Sequence, residues 1–256
     1  MGEIQRPGAL YQQVAAEIRS GIAAGEYPPG ALLPSEAQLM ERYQVSRPTV
    51  RKAVDRLRSE GLIDVVHGKG SFVRSLPTPS VTIDRTITRE GDTFRTGLSD
   101  WEEVEPPTVT RGHTTATTGP LLGLDEGEAV FIVDRLLAEP STGTRAMHRM
   151  VIPLATAAEV EELEHPDISP DQVYAALAKA GYHLTWRETV SARMPLPDER
   201  VALAIPDAVP MLQAVRVTRS TDGAHLIQEV CSVDGDRARV AFFIDVEAFE
   251  KEHSPG

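Results

Sequence analysis

The chain has 256 residues, 41% of them hydrophobic, and a formal net charge of −12 at pH 7. That length and apolar content suffice for one large or two medium domains. A single cysteine, Cys231, excludes an intrachain disulfide and fits a reducing cytoplasm. No apolar run approaches the roughly 20 residues of a membrane span and no signal peptide opens the chain, so we expect a cytoplasmic protein outside the membrane.

The charge is divided unevenly along the chain. Residues 1–75 hold 10 basic and 8 acidic side chains, whereas the remainder holds 16 basic and 30 acidic ones. An acidic protein is normally a poor candidate for nucleic acid binding, but here the positive charge is concentrated in one segment. We therefore expect the first segment to meet nucleic acid and the acidic remainder to have another task.

Helices and turns alternate in the first segment. Residues 1–9 contain helix breakers and should fray. Leu10–Ala24 is predicted as a helix, followed by a rigid turn rich in proline and glycine. Two more helices follow within residues 33–62: one begins at Ser35, and the next is capped by the Ser46 hydroxyl. Two short helices around a tight turn are typical of a helix-turn-helix, whose second helix lies in the major groove.

The second of these helices has an apolar face and a basic face. Val50, Ala53, Val54 and Leu57 repeat at helical spacing and should face a core. The residues that we expect to contact DNA from this region are Ser35, Ser46, Arg47, Pro48, Thr49, Arg51 and Lys52. The alternative is an ordinary helical hairpin with solvated charges.

A β-hairpin is predicted after this helix, with strands at Leu62–Val66 and Ser71–Val73. Glycines let its turn approach DNA closely, and a lysine supplies positive charge. We expect the turn to contact DNA through His67, Gly68, Lys69 and Gly70. The alternative is a surface hairpin without a partner.

A semi-rigid linker with two prolines, at residues 76–80, separates a domain at 1–75 from a second domain at 81–256. In the second domain we predict a loop at 91–101, strands at 82–88, 107–117, 129–137, 146–152, 182–194, 211–220, 226–233 and 240–246, and helices at 119–124, 155–164, 171–180 and 197–203. Strands dominate and several are joined by hairpins. We therefore expect a mostly antiparallel sheet with helices packed on it.

Both domains resemble parts of one family of bacterial regulators. LPSE at 33–36, VSRPTVRKAVDRL at 45–57, EGLI at 60–63 and HGKGSFV at 67–73 are similar to the winged-helix DNA-binding domain of the GntR family. FIVDRLLAE at 131–139, HRMVIP at 148–153, VYAALAKAGY at 173–182, MLQAVRVTRSTDGAHLIQE at 211–229 and GDR at 235–237 resemble the UTRA effector-binding domain of its HutC subfamily. One departure is Ala37, where many relatives carry an arginine that touches DNA.

This resemblance implies an α+β protein, with a winged helix-turn-helix joined to a mostly antiparallel, chorismate-lyase-like sheet domain. It also implies a homodimer that binds a near-palindromic double-stranded operator. Such a regulator acts as a repressor and is released from DNA by a small-molecule effector.

Arg135 is the leading candidate for binding the effector. It interrupts an apolar strand at the place where relatives hold an arginine facing an anionic ligand, so the resemblance implies an anionic metabolite. By strand alternation alone, an outward-facing arginine is equally expected. The further candidates are Thr93, Arg95, His148, Arg149, Tyr174 and Arg237; the last of these has Asp234 and Asp236 as alternative partners. His148 stands where relatives commonly carry glutamate, and Gln172 replaces a frequent serine, which weakens the case for sugar-phosphate recognition.

The sequence contains no GxSxG, HExxH or paired-cysteine motif, and its seven histidines lack metal-ligand spacing. We therefore expect no enzymatic activity, no cofactor and no metal. Two alternatives stay open for the second domain. The first is a lyase-like enzyme, which would be shown by catalytic turnover of candidate metabolites. The second is a dimerisation module without an effector, which would be indicated by the absence of a pocket.

Overall fold

The computed structural model describes residues 9–66, 68–75 and 81–244. The chain divides into two units, Met1–Pro77 with Pro206–Val209, and Thr78–Ile205 with Pro210–Gly256. The predicted linker, His67 and the first eight residues of the predicted N-terminal arm lie outside the described residues. None of the described helices is long and apolar enough to cross a membrane.

The first unit has the elements that the sequence predicts. They are α1 (Leu10–Ala23), α2 (Glu36–Tyr43), α3 (Arg47–Ser59), β1 (Ile63–Val66) and β2 (Gly70–Val73). The two strands pair antiparallel, from Ile63 opposite Val73 to Val66 opposite Gly70. Gln44 ends α2 with a left-handed φ of 51°, which turns the chain sharply towards α3.

A single apolar core holds these elements together. Leu39 of α2, Val50 and Leu57 of α3 and Ile63 of β1 are each at most 1% exposed. Burying a side chain of this size contributes about 1.5–3 kcal/mol. Because the apolar stripe of α3 is committed to this core, the basic side chains between its members are directed to solvent.

The second unit is built on strands. Its elements are β3 (Val81–Asp84), β4 (Thr88–Glu90), β5 (Thr93–Arg95), β6 (Glu102–Glu103), β7 (Thr108–His113), α4 (Gly119–Leu122), β8 (Ala129–Ala138), β9 (Arg145–Pro153), α5 (Leu154–Ala158), α6 (Pro170–Lys179), β10 (Leu184–Arg193), α7 (Pro197–Leu203), β11 (Met211–Ser220), β12 (His225–Asp234) and β13 (Ala238–Ala241). A seven-stranded sheet has the order β10-β11-β12-β9-β8-β6, and β7 also pairs with β8. Every pairing in it is antiparallel, which confirms the predicted sheet type.

Several predicted segments differ from the structure. The predicted strand at 82–88 is interrupted, since β3 ends at Asp84 and β4 begins at Thr88, and the strand predicted at 107–117 ends at His113. The predicted loop at 91–101 contains β5, which pairs with β4. The predicted helix at 155–164 is α5 followed by a separate 3-10 turn at Glu161–Leu163, because the buried Val160 between them adopts an extended conformation. The last strand, predicted at 240–246, is β13 and ends at Ala241; residues 245 and 246 lie outside the described residues.

The two faces of the large sheet have different surroundings. On one face Val173, Tyr174 and Leu177 of α6 pack against Val133 and other buried strand residues. Arg135 lies on this face, two residues after Val133, and it is only 4% exposed. The other face forms the floor of an open trough of about 630 Å³, which we call the open face; its apolar residues are Leu136, Met147, Val151, Val215 and Val230.

Candidate nucleic-acid interface and ligand cavity

Capping differs between α2 and α3. At α2 the Gln38 backbone N–H donates to the Ser35 hydroxyl at 3.3 Å, and the Ser35 N–H donates to the Gln38 side chain at 2.9 Å. A capping residue of this kind contributes about 1 kcal/mol. At α3 the predicted cap is wrong in its chemistry: Ser46 occupies the N-cap position, but its hydroxyl pairs with the Thr49 hydroxyl at 2.9 Å. Pro48 in the first turn needs no hydrogen-bond acceptor and fixes the backbone there.

A groove of about 550 Å³ runs between α2, α3 and the β1–β2 hairpin. Five of the residues predicted to contact DNA line it together, namely Ser35, Arg51, Gly68, Lys69 and Gly70. Gly68 and Gly70 have φ values of 74° and 115°, which only glycine adopts readily. The Lys69 side chain is exposed at the hairpin tip, where it can meet a phosphate.

Glu36, which the sequence analysis did not single out, pairs with two arginines of α3. The Arg51 Nε donates to Glu36 Oε1 at 2.9 Å, and the Arg47 Nε lies 3.5 Å from Glu36 Oε2. Both guanidinium groups meet the carboxylate through Nε. In a contact with guanine, an arginine donates two hydrogen bonds from its guanidinium group to O6 and N7. The side chains of Arg47 and Arg51 are 58% and 63% exposed, so they are accessible to a partner.

Lys52 lies apart from this groove. It lines a shallow depression with Tyr11, Asp55, Arg56 and Ser59 on another side of α3. Lys52 therefore does not share the groove that holds Arg51 and Lys69.

In the second unit, Arg135 borders a cavity of about 100 Å³. The other residues that line it are Thr96, Leu98, Ser99, Trp101, Glu103, Leu137, Ser169, Pro170 and Asp171. The Arg135 Nη2 donates to the Ile168 carbonyl, and its Nε lies 3.3 Å from Glu103 Oε1. Neither Nε nor Nη1 makes a hydrogen bond. Burial lowers the pKa of Arg135, while the Glu103 carboxylate opposes that shift.

Two other predicted effector contacts, His148 and Tyr174, belong to a buried polar cluster. The Glu229 carboxylate is bonded to His148 Nε2 at 3.1 Å and accepts from the Tyr174 hydroxyl. Burial alone would raise the pKa of Glu229, but His148, Arg216 and Tyr174 lower it to about 2. Burial and the Glu229 charge raise the pKa of Tyr174. His148 Nε2 and the Tyr174 hydroxyl are thus committed to Glu229, whereas the buried His148 Nδ1 has no hydrogen-bond partner.

The cluster extends along the sheet through residues that sequence reasoning missed. The Arg216 Nε donates to Glu188 at 2.6 Å, and the Arg85 Nε donates to the other oxygen of Glu188 at 2.8 Å. A signal was present, because Arg216 and Glu229 interrupt apolar strands just as Arg135 does. No such interruption of an apolar strand in the sequence indicated that Asp171 and Glu103 line the cavity.

The remaining predicted contacts do not line this small cavity, but Arg149 lines the trough of about 630 Å³ together with Arg135 and His148. Arg149 lies on the open face, because adjacent strand residues point to opposite sides, and it pairs with Asp134 at 2.6 Å. Arg95 pairs with Asp100 and its side chain is 59% exposed. Thr93 is exposed on β5, and Arg237 is exposed with its Nε 4.0 Å from an Asp234 carboxylate oxygen.

Among the described residues there is no group of three or more His, Cys, Asp or Glu side chains that could hold a metal ion. Cys231 is buried in the sheet, and burial raises the pKa of its thiol. It therefore behaves as a small apolar residue.

Comparison with known proteins identifies the first unit. Residues 10–73 match the model of the bacterial regulatory proteins of the gntR family. The chain is 28% identical over 232 residues to an uncharacterised HTH-type transcriptional regulator of Streptomyces coelicolor, covering 83% of this chain and 84% of the relative. It is 42% identical over 65 residues to the mannosyl-D-glycerate transport/metabolism system repressor MngR of Escherichia coli, covering 25% of this chain and 27% of MngR.

The fold is shared along nearly the whole chain with a solved GntR-family transcriptional regulator. The TM-score is 0.65 at 23% identity, and the match covers 93% of this chain and 98% of that one. Residues 10–73 thus form a DNA-binding domain of the gntR family, and the chain resembles an HTH-type transcriptional regulator over most of its length.

Proposed function

We propose that this protein is a cytoplasmic, ligand-responsive repressor of the HutC subfamily, with a UTRA-type effector domain that binds a small anionic metabolite. Arg135 carries the proposal: a buried guanidinium with two nitrogens that make no hydrogen bond, at the wall of a cavity. Burying a charge without full pairing costs several kcal/mol, so folding alone gives no reason for this arrangement. An anionic ligand would supply the missing acceptors.

On the DNA side, the groove of the first unit would dock on the operator. Arg47 and Arg51 would enter the major groove, while Lys69 would contact the backbone. A homodimer would place two such helices on half-sites about 34 Å apart, one turn of DNA. MngR, which the first unit resembles, is a repressor, and this supports the proposed sign of regulation.

Release by a ligand requires a difference in affinity. A metabolite shifts the protein off DNA only if it binds the released conformation more tightly than the DNA-bound one. We propose that the cavity at Arg135 is the site whose ligand affinity differs between the two conformations.

For the homodimer we propose the open face as the contact surface, with a second copy as its occupant. Leu196, which lines its rim, is 57% exposed, and Met194 and Val201, within five residues of it in the chain, are 51% and 78% exposed. The face also carries both signs of charge, in Asp134 and Arg149, so a two-fold contact can place opposite charges together. An exposed apolar rim around an apolar floor is typical of a protein interface.

Sedimentation equilibrium tests this surface. The full chain should be dimeric, and the double variant Leu196→Asp, Val201→Asp should be monomeric because each copy would bury two carboxylates. Glu126→Lys, an exposed change on another loop, is the control and should leave the dimer intact. A variant that stays dimeric contradicts the assignment.

The proposed function is tested by ligand-triggered release. DNA selected from a random library by the full-length protein is labelled, and its complex is titrated with the small-molecule fraction of a cell extract while anisotropy is recorded. Wild type should release the DNA. Arg135→Ala should bind DNA equally well but stay bound, whereas Arg187→Ala, which removes an exposed arginine of the same sheet, should release like wild type. Release of Arg135→Ala at the wild-type concentration would mean that the cavity is not the effector site.

A further inference from the structure

The cavity at Arg135 contains polar atoms of both signs that lack hydrogen-bond partners. Arg135 offers Nη1, which makes no hydrogen bond, while its Nε faces only Glu103 Oε1 at 3.3 Å among the described residues, and the side chain is 1% exposed. Asp171, which lines the same cavity, has a buried Oδ1 that also lacks a hydrogen-bond partner. A ligand that satisfied only the guanidinium would leave this carboxylate oxygen unpaired.

The balance of charge around the cavity opposes a doubly charged anion. Its lining includes the carboxylates of Glu103 and Asp171 but only the one guanidinium of Arg135. Arg95, which lies close enough to lower the pKa of Asp171, is itself paired with Asp100. A phosphate dianion placed here would meet two carboxylates for every guanidinium, and like charges at such distances repel.

The N-terminus of α6 has fewer free backbone N–H donors for a phosphate than most helix N-termini have. The Gln172 N–H already donates to the Ser169 hydroxyl at 3.3 Å, and the Ser169 N–H donates to the Gln172 side chain at 2.9 Å. Pro170 has no N–H to donate. A reciprocal capping box therefore consumes donors that would otherwise bind an anion.

Asp171 instead suits a positively charged group. Burial raises the pKa of its carboxyl group, and the hydroxyls of Ser99 and Thr96 lower it only in part. A cation placed beside it would restore the charged form and bond to the free Oδ1.

We infer that the cavity binds a small zwitterion of the α-amino acid class, with the ligand carboxylate on Arg135 and its ammonium group on Asp171. This inference rests on the proposed function and specifies its ligand. Arg135 and Asp171 are both binding residues in it, and the volume of about 100 Å³ restricts the ligand to a small molecule. Each charged hydrogen bond contributes about 1.5–3 kcal/mol, which corresponds to at least tenfold in affinity.

Isothermal titration calorimetry on the full-length protein tests the inference. The probes are the 20 standard amino acids, inorganic phosphate and glycerol 3-phosphate, and for each amino acid that binds, its hydroxy-acid analogue and the amine that lacks the carboxylate. At least one amino acid should bind, and each analogue with one charge missing should bind at least tenfold more weakly. Arg135→Ala and Asp171→Asn should each weaken the amino acid at least tenfold. Asp92→Asn, which removes a fully exposed carboxylate of the same unit, should bind like wild type.

The sign of the Asp171→Asn effect separates the possible ligands. Removing this carboxylate weakens an amino acid but strengthens a phosphate or a simple hydroxy acid. If such an anion binds more tightly than every amino acid, and Asp171→Asn improves its binding, the zwitterion is excluded while the anion site at Arg135 stands. If none of the probes binds, the inference is wrong, and the release experiment with cell extract decides separately whether Arg135 is an effector site.

Discussion

Charged side chains are used in opposite ways in the two units. Arg47 and Arg51 of α3 are more than half exposed, and both pair with one surface carboxylate, that of Glu36. In the sheet unit, Arg216 and Glu229 are each 2% exposed and bonded to other buried groups. Exposed charges are accessible to a partner, whereas buried charges are committed to internal ones. Arg135 departs from this rule, since it is buried like Glu229 but incompletely paired.

The largest expected effect comes from the buried cluster. Glu229→Gln removes a charge that His148, Tyr174 and Arg216 depend on, and breaking a buried pair in this way costs about 3–5 kcal/mol. Urea unfolding followed by tryptophan fluorescence measures it, because Trp101 and Trp186 both lie in the sheet unit. A loss below about 1 kcal/mol would mean that the cluster does not hold the fold.

Two controls accompany this measurement. Glu90→Gln, at an exposed position, should change the free energy of unfolding by less than about 0.5 kcal/mol. The pKa of Glu229 is lowered from 4.5 to about 2 in the fold, so its contribution is present above pH 4.5 and is lost as the pH falls towards 2. Glu229→Gln should lack that part of the acid dependence.

The next effect concerns DNA reading by α3. Arg51→Ala should weaken binding to the selected DNA by about 1–3 kcal/mol and relax the preference at one base pair, because its terminal nitrogens are free to fork onto a guanine. Anisotropy titrations measure the affinity. Arg56→Ala removes an arginine of the same helix that does not line the groove, and it should bind the selected DNA with little change. Equal losses in the two variants would contradict the docking geometry.

A smaller effect is expected at the hairpin tip. Lys69→Ala should weaken specific and non-specific DNA by similar factors and reduce the slope of log K against log salt by about one, because a phosphate contact carries no sequence information. Titrations at several salt concentrations, with selected and random DNA, measure both quantities. A large loss of specificity with an unchanged slope would indicate base contacts instead.

The smallest effect tests the carboxylate that orders the arginines. Glu36→Gln should raise affinity for random DNA, because a negative charge leaves the interface, and should reduce the preference for selected DNA by about 0.5–1 kcal/mol. The ratio of the two affinities is the measured quantity. Glu41→Gln, on the same helix but away from both arginines, is the control. An unchanged ratio would show that Glu36 does not position them.

The first unit was largely predictable because its motif is continuous in sequence. The apolar spacing of Val50, Ala53 and Leu57 set the buried face of α3, and the basic face followed from it. What the sequence could not show was how side chains pair across elements. Glu36 precedes Arg51 by 15 residues, and the Ser46 hydroxyl forms a hydrogen bond with the Thr49 hydroxyl instead of capping a backbone N–H.

The ligand cavity was predictable only at Arg135, where a charge interrupts an apolar strand. Its other charged residues, Glu103 and Asp171, come from β6 and α6, and packing of these elements on β8 brings them together. Alternation along β9 already separates the His148 and Arg149 side chains, so the different partners of these two residues could be expected from the sequence. Two elements of this unit, Pro197–Leu203 and Met211–Ser220, have the predicted bounds.

The stability of Arg135→Met tests most directly the claim that Arg135 serves a ligand rather than the fold. Methionine keeps much of the side-chain volume and removes a buried charge whose Nε and Nη1 make no hydrogen bond. Replacing buried charges by apolar groups of similar size is often neutral or stabilising, by about 1–4 kcal/mol. Urea unfolding followed by tryptophan fluorescence should show a variant at least as stable as wild type. A loss of several kcal/mol, as expected for Glu229→Gln, would make Arg135 a structural residue and contradict the account.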